Sequence, residues 1–121
     1  MGRIISIHEY ELKPQADSQQ FEKALRDAEA SGLLQLPGLV AHYFVKGIKG
    51  ARKGVYTALW VYESLEAWER LWGSSDQPRR PEDYPRTWKV WEQEFLAPFL
   101  IQHPDAIPFT AYEQLGGLAD T

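Results

Sequence analysis

Two histidines are the groups best suited to do chemistry in this sequence, and both fall in stretches that read as β-strand: His8 in RIISIHEYEL and His42 in LVAHYFVK. An imidazole titrates near neutrality, so inside a pocket it can act as general base toward a phenol or an acidic carbon. Rings that could stack on a flat substrate stand close by in the pattern. Tyr56, Trp60 and Tyr62 alternate along one face of VYTALWVYE, and Tyr43 follows His42 directly. The same residues have plainer uses. A strand histidine can be a hydrogen-bonded core group, and strand aromatics can fill a core or the contact between two copies.

Other candidates are weaker. Lys46, Lys49, Arg52 and Lys53 gather around the glycines of KGIKGARKG, and glycine amides with cations can hold a phosphate or carboxylate. The segment lacks the Gly-Lys-Ser/Thr ending of a P-loop and joins two strands, so a solvated hairpin tip is the favoured reading. His103 sits in a connector beside Pro104 and Asp105. The three histidines show no ligand spacing, so neither a metal nor a haem is expected. With no cysteine, thiolate chemistry, disulfides and Cys-ligated zinc are excluded.

The elements that must position these groups follow from periodicity. The 121 residues suffice for one domain with one core, here 1–121 with a tail at 115–121. Five tryptophans and 13% aromatics favour cores, pockets and interfaces. Strand-like alternation over 3–12 gives way to a turn, then to an amphipathic stripe of Phe21, Ala24, Leu25 and Ala28 with Asp17 or Ser18 as cap. Gly32 suits the end of that helix, although the leucines up to Leu36 could prolong it. Residues 39–46 and 55–63 form a hairpin, and at Ser64 the rhythm changes from two to helical spacing through Leu65, Trp68, Leu71 and Trp72. After a proline-rich loop, Trp88, Trp91 and Phe95 mark a third helix, ended near Pro98, and FTAYEQL closes as a strand. The helix tryptophans are read as core, with pocket lining open to one or two of them.

This β-α-β-β-α-(α)-β order is that of the ferredoxin-like split βαβ fold, class α+β: a four-stranded antiparallel sheet with its helices on one face. The other face cannot be polar, because both alternating sets of the second and third strands are apolar. Two copies packing these faces about a two-fold axis would bury that patch, so a homodimer is expected.

The segments YELKP, LPGLVAHYFVKG and LWVYESLEAWE resemble the dimeric α/β-barrel superfamily. Pro37-Gly38 before the second strand and Trp60 through Ala67 at the crossover are similar to its antibiotic-biosynthesis-monooxygenase group. PRTWKVWEQEFLAPFL is more similar to NIPSNAP-like members. The resemblance implies a pocket between sheet and helices and chemistries from cofactor-free oxygenation of phenols to isomerisation. The chain contains no asparagine, the residue on which the oxygenating and haem-degrading members typically rely, so that machinery is not carried over.

The functional expectation is therefore a small-molecule enzyme or binding protein with an apolar or aromatic pocket, His8 or His42 supplying acid–base chemistry. A cofactor-independent monooxygenase-like or isomerase-like activity would fit, and no bound cofactor is expected. The alternative is a non-catalytic dimerisation or ligand-sensing module. A net charge of −4 argues against nucleic-acid binding. The apolar runs are too short for a signal peptide or a membrane span, so a cytoplasmic protein is expected. Gly2 and Ser6 satisfy the loose myristoylation pattern, but the intervening isoleucines read as strand.

Overall fold

Strand alternation decides which side chains share a face, and the pairing register makes those faces explicit. The computed structural model describes residues 2–117; part of the expected tail, 118–121, lies outside the described residues. Strands β1 (Ile4–Tyr10), β2 (Leu39–Lys46), β3 (Tyr56–Tyr62) and β4 (Phe109–Glu113) form one sheet in the order β2-β3-β1-β4, every neighbouring pair antiparallel. Ser6 lies opposite Trp60 and Ala111, and Trp60 opposite His42. These partners, with Ile4, His8, Tyr10, Tyr56, Ala58, Tyr62, Phe44 and Phe109, make the inner face that the helices cover. Ile5, Ile7, Leu59, Val61, Ala41, Tyr43 and Val45 make the outer face.

One residue leaves the expected alternation. The β2–β3 register slips between Leu39 and Ala41, so two consecutive partners on β3 are met by residues two apart on β2. Val40 is bulged out and 46% exposed instead of sharing the face of His42 and Phe44.

Helix α1 (Ser18–Ser31) begins where Asp17 accepts hydrogen bonds from the backbone N–H groups of Gln19 and Gln20. It ends at Gly32 in the left-handed conformation, so the leucines beyond belong to the loop and not to the helix. Phe21, Leu25 and Ala28 are its buried stripe; Ala24 is only half-buried. Full burial of a Phe or Leu side chain contributes about 1.5–3 kcal/mol, which holds the helix to the sheet more than its intrinsic propensity does.

Helix α2 (Leu65–Trp72) follows β3 after two residues, with Ser64 accepting from the Ala67 N–H at 3.1 Å. Its docking depends on Gly38, whose φ is +82° and whose missing Cβ would stand 2.6 Å from the Cβ of Ala67. The Gly38 carbonyl also accepts from Glu63 N–H at 2.8 Å, so the Pro-Gly turn, the end of β3 and α2 are fixed as a unit.

Helix α3 (Arg86–Val90) continues without a break into a π-helical turn, Trp91–Leu96, where the Ala97 N–H reaches back five residues to the Glu92 carbonyl. The wider winding explains a departure from the expected stripe. Trp88 and Trp91 are buried as the spacing predicts, but Leu96, five residues past Trp91, takes the fully buried place expected for Phe95. No helix among the described residues is long and apolar enough to cross a membrane.

At the centre lies Trp60, fully buried, with Phe44, His42, Trp88, Trp91 and His8 around it at ring-centroid distances of 5.0 to 6.2 Å. Two substitutions test this account. Trp60→Ala is expected to lower the unfolding free energy by about 3–5 kcal/mol in chemical denaturation, because the surrounding rings cannot collapse into the void. Gly38→Ala, far smaller in volume, is expected to cost about 1–3 kcal/mol from its forbidden φ, and the Ala67 contact adds to this.

Candidate functional site

Between the β1–β4 side of the inner face and helices α2 and α3 lies a cavity of about 370 Å³. Its sheet wall is Ser6, His8, Tyr62, Phe109 and Ala111; its helical wall is Trp68, Trp72, Trp88 and Glu92. Tyr84, Asp105 and Ile107 from the connectors complete it, together with the loop after α2. That loop is folded back by Gly73, which has a positive φ and a missing Cβ that would lie 2.5 Å from the Gln77 carbonyl oxygen. The Arg79 N–H then donates to the Trp72 carbonyl at 2.8 Å, closing the rim.

Alternation on β1 delivers Ser6 and His8 to the cavity side by side. Ser6 Oγ and His8 Nε2 are 3.0 Å apart, and Ser6 is itself buried. The His8 ring is wedged among Trp60, Trp88 and Phe109 at centroid distances of 5.6 to 6.0 Å. This apolar surround disfavours the imidazolium, and burial lowers the pKa of His8 to about 4. At neutral pH the ring is an uncharged hydrogen-bonding group.

Glu92 stands one helical turn after Trp88 and so shares its inward face. Burial first, then the neighbouring Asp105 carboxylate, raises its pKa to about 8. Burial first, then Asp105 and Glu92, also raises Tyr84. Asp105 is fixed by the short turn Pro104–Ala106, in which its N–H donates to His103 Nδ1 at 3.2 Å; the two side chains approach to 3.5 Å. The cavity thus contains a neutral base, a carboxyl that holds its proton near neutrality, and mostly aromatic walls. No group of three or more potential metal ligands occurs among the described residues.

Of the residues singled out in the sequence, His8 and Tyr62 line this cavity. Burial raises the Tyr62 hydroxyl, so it stays protonated and acts only as a neutral polar group. Trp60 lies behind the wall as core, because β3 is central and both its neighbours crowd it. His42 lies across Trp60 from His8, stacked on that ring at 5.6 Å, and its Nε2 meets Glu29 of α1 at 2.8 Å. It therefore joins strand to helix outside the cavity lining. Tyr56, at the far end of β3, donates its hydroxyl to Glu22 beneath the Lys46 ammonium, and burial with that carboxylate pushes its pKa up to about 12. Tyr43 is on the outer face, 55% exposed, since its register is opposite to that of His42. Among the hairpin cations, Arg52 is engaged by the Tyr56 carbonyl, Thr57 and Glu9, and Lys46 lies 3.8 Å from Glu22.

Three contributors escaped the sequence reading. Ser6 was visible as the inward neighbour of His8 in the alternation. Glu92 carried a signal in its spacing of four from Trp88. Asp105, in a connector without periodicity, carried none. Trp68, Trp72 and Trp88 line the cavity, one more than the reading left open, while Trp91 is core.

No protein-family model matches the chain. An MprF-like domain protein of Mycobacterium tuberculosis is 33% identical over 87 residues, covering 69% of this chain; the chain spans only 16% of that protein's length. Solved structures agree over nearly the whole chain at low identity. A dabb family protein with a ferredoxin-like fold from Mesorhizobium loti superposes with TM-score 0.64, 15% identity and coverage of 96% of this chain and all of that one. An antibiotic-biosynthesis-monooxygenase-like protein from Caulobacter crescentus gives 0.62 at 18% identity, covering 95% and 92% of the two chains. SnoaB, a cofactor-independent oxygenase from Streptomyces nogalater, gives 0.56 at 12% identity, with 99% of this chain and all of that one covered.

The raised proton affinity of Glu92 has a consequence for stability. The unfolded chain releases this proton near the ordinary value of 4.5, the folded protein only near 8, so stability is lost progressively as pH rises between those values. Glu92→Gln removes the penalty. Its gain in melting temperature over the parent is expected to be small near the lower value and to grow toward the upper one in a pH series. A gain that does not depend on pH contradicts the assignment. In architecture the chain is a ferredoxin-like α+β protein, sharing its fold with antibiotic-biosynthesis-monooxygenase-like, dabb and NIPSNAP-like proteins.

Proposed function

We propose that the cavity binds a small, flat, largely apolar molecule and that Glu92 and His8 exchange or share protons with it, in an oxygenase-like or isomerase-like reaction needing no bound cofactor. One observation carries this reading: among the titratable groups lining the cavity, a histidine and a glutamate, His8 and Glu92, have both been pushed toward their neutral forms within a single aromatic-walled space. General acid–base catalysis works best when a group's proton affinity lies near the working pH, and Glu92 meets that condition. His8 is too weak a base to hold a full charge in the empty cavity. With Nε2–H donating to Ser6 Oγ, its Nδ1 lone pair stays free to orient a ligand hydroxyl.

A phenol or enolisable ketone has the matching chemistry. Its hydroxyl or acidic C–H gives a proton to the ionised fraction of Glu92, its ring stacks on Trp72 or Trp88, and the same carboxyl returns that proton elsewhere on the molecule. This completes an isomerisation; oxygenation would in addition consume dioxygen as the oxidant. The similar fold of a cofactor-independent oxygenase supports oxygenation as the chemistry to be tried first. Lack of asparagine means that any such reaction uses other groups, and His8, Ser6 and Glu92 are the ones in place.

The outer sheet face supports a homodimer. Val45 is 44% and Tyr112 52% exposed there, and Ile5, Ile7, Leu59 and Val61 lie half-covered between them. A contiguous apolar patch of this kind marks an interface. A second reading, a non-catalytic dimerisation module, draws on the same patch.

Both parts are testable. In a screen of phenols, quinols and enolisable ketones, His8→Gln and Glu92→Gln are each expected to reduce turnover by about 10²–10⁴-fold, in the range for loss of one acid–base group. Undiminished turnover in both variants overturns their role. In sedimentation, the protein is expected at twice its 13.9 kDa chain mass, with Leu59→Glu shifting it toward the monomer. A stable, folded particle at the chain mass overturns the dimer.

A further inference from the structure

We infer that the cavity takes an organic cation, its ammonium head lodged among Trp72, Tyr84 and Trp88 and against the carboxyl pair of Glu92 and Asp105. The inference rests on the reading that this cavity binds a small molecule, and it specifies the charge that molecule carries.

Trp72 meets Tyr84 at 5.0 Å with an interplanar angle of 88°, and Trp88 at 5.1 Å with 65°. Two rings thus stand steeply to Trp72, and all three line the cavity as a corner with more than one aromatic partner for a compact cation. Two carboxyl groups, Glu92 and Asp105, line the same cavity.

Next comes the charge balance. No lysine or arginine is among the residues lining the cavity. Of the cations near it in sequence, Lys89 Nζ donates to the Glu82 carbonyl at 2.9 Å and Arg80 pairs with Glu82 and Asp83, while Arg79 and Arg86 are not among the residues lining the cavity. Glu92 makes no ion pair among the described residues. Asp105 has only the His103 imidazole, whose side chain is 69% exposed. On the sheet side the titratable groups are His8, Tyr62 and, behind them, Tyr10, all held uncharged by burial. The acid pair is therefore uncompensated, and its excess negative potential faces the aromatic corner. An anionic ligand would be repelled there. A neutral ligand would leave the pair as it is. A cation offsets the repulsion between the carboxyls and lets Glu92 ionise beside Asp105.

A proton linkage follows. Because the cation favours ionised Glu92, it must displace the proton that this carboxyl otherwise holds, so affinity rises with pH until Glu92 is already ionised in the empty protein. The probe is phenyltrimethylammonium, whose charge does not titrate, compared with its neutral isostere tert-butylbenzene, both measured calorimetrically on the full chain. The cation is expected to bind more tightly than the isostere and to gain roughly tenfold between about pH 6.5 and about pH 9, while the isostere gains nothing.

His103 also faces Asp105, so a variant must assign the pH step to Glu92. Glu92→Gln, verified as folded by its melting transition, is expected to keep isostere affinity while losing both the cation preference and the pH step. A step that persists in Glu92→Gln overturns the assignment. Equal binding of the two probes at the higher pH overturns the inference but leaves the small-molecule cavity standing. Failure of both probes to bind at any pH counts against both.

Discussion

The burial of Trp60 is the constraint on which the rest of the molecule depends. It occupies the middle of β3, itself between β2 and β1, and its ring divides the inner sheet face into two compartments. His42 is on one side, stacked on the indole and tied to α1 through Glu29. On the other side are His8 and the cavity. Among the described residues, the indole N–H groups of Trp60 and Trp91 and the Tyr10 hydroxyl meet no partner in hydrogen-bond geometry. An unsatisfied buried polar group costs about 1–3 kcal/mol, so the packing of rings around Trp60 must outweigh that loss. An aromatic core of this density is a rigid wall. It explains why a cavity persists beside it instead of collapsing, since the rings that would fill the space are already locked edge-to-face against one another.

The cavity's electrostatics follow from the same wall. Removal from water among apolar rings drives His8 to the neutral form, and the buried setting of Glu92 beside Asp105 drives the carboxyl to keep its proton. These shifts have opposite signs on the pKa scale and one cause, the cost of an isolated charge among rings. Ser6 and Asp105 differ in what they do to their partners. Ser6 shares a hydrogen bond with the imidazole without bringing a charge and fixes its orientation. Asp105 offers Glu92 a like charge and stores repulsion that a ligand or a proton can relieve. The site is poised, and its charge state is coupled to occupancy.

Most of the architecture was legible because it rests on local, periodic signals. Alternation located all four strands to within a few residues, and Ser64 and Asp17 cap the helices at the places their side chains suggested. What escaped depended on geometry that periodicity does not encode. A bulge at Val40 and a π-turn after Val90 each alter the count by a residue, and each redistributes a single apolar side chain. The two histidines looked equivalent in the sequence, both on strands among aromatics. They differ because β1 has the short strand β4 beside it, whereas His42 on β2 meets Glu29 of α1, and strand order is a tertiary fact. The Glu92–Asp105 pair joins a helix to a connector thirteen positions later, beyond the reach of any single-segment pattern.

The sheet is also a partition between two kinds of demand on the sequence. On β1, Ser6 and His8 face the cavity while Ile5 and Ile7 face outward, so adjacent residues serve chemistry and association in turn. Two-residue alternation lets each set vary with little direct contact with the other. The coupling that remains runs through backbone position, since β1 pairs with β3 on one side and β4 on the other. β4 is the weaker of these attachments: its five residues are all exposed in the single chain, yet Phe109 and Ala111 form part of the cavity wall. In the proposed dimer, the outer residues Thr110 and Tyr112 would be the ones to gain contacts. Association would then stiffen the one strand of the cavity wall that the monomer holds least firmly, so the dimer would bear on the site without contributing a residue to it.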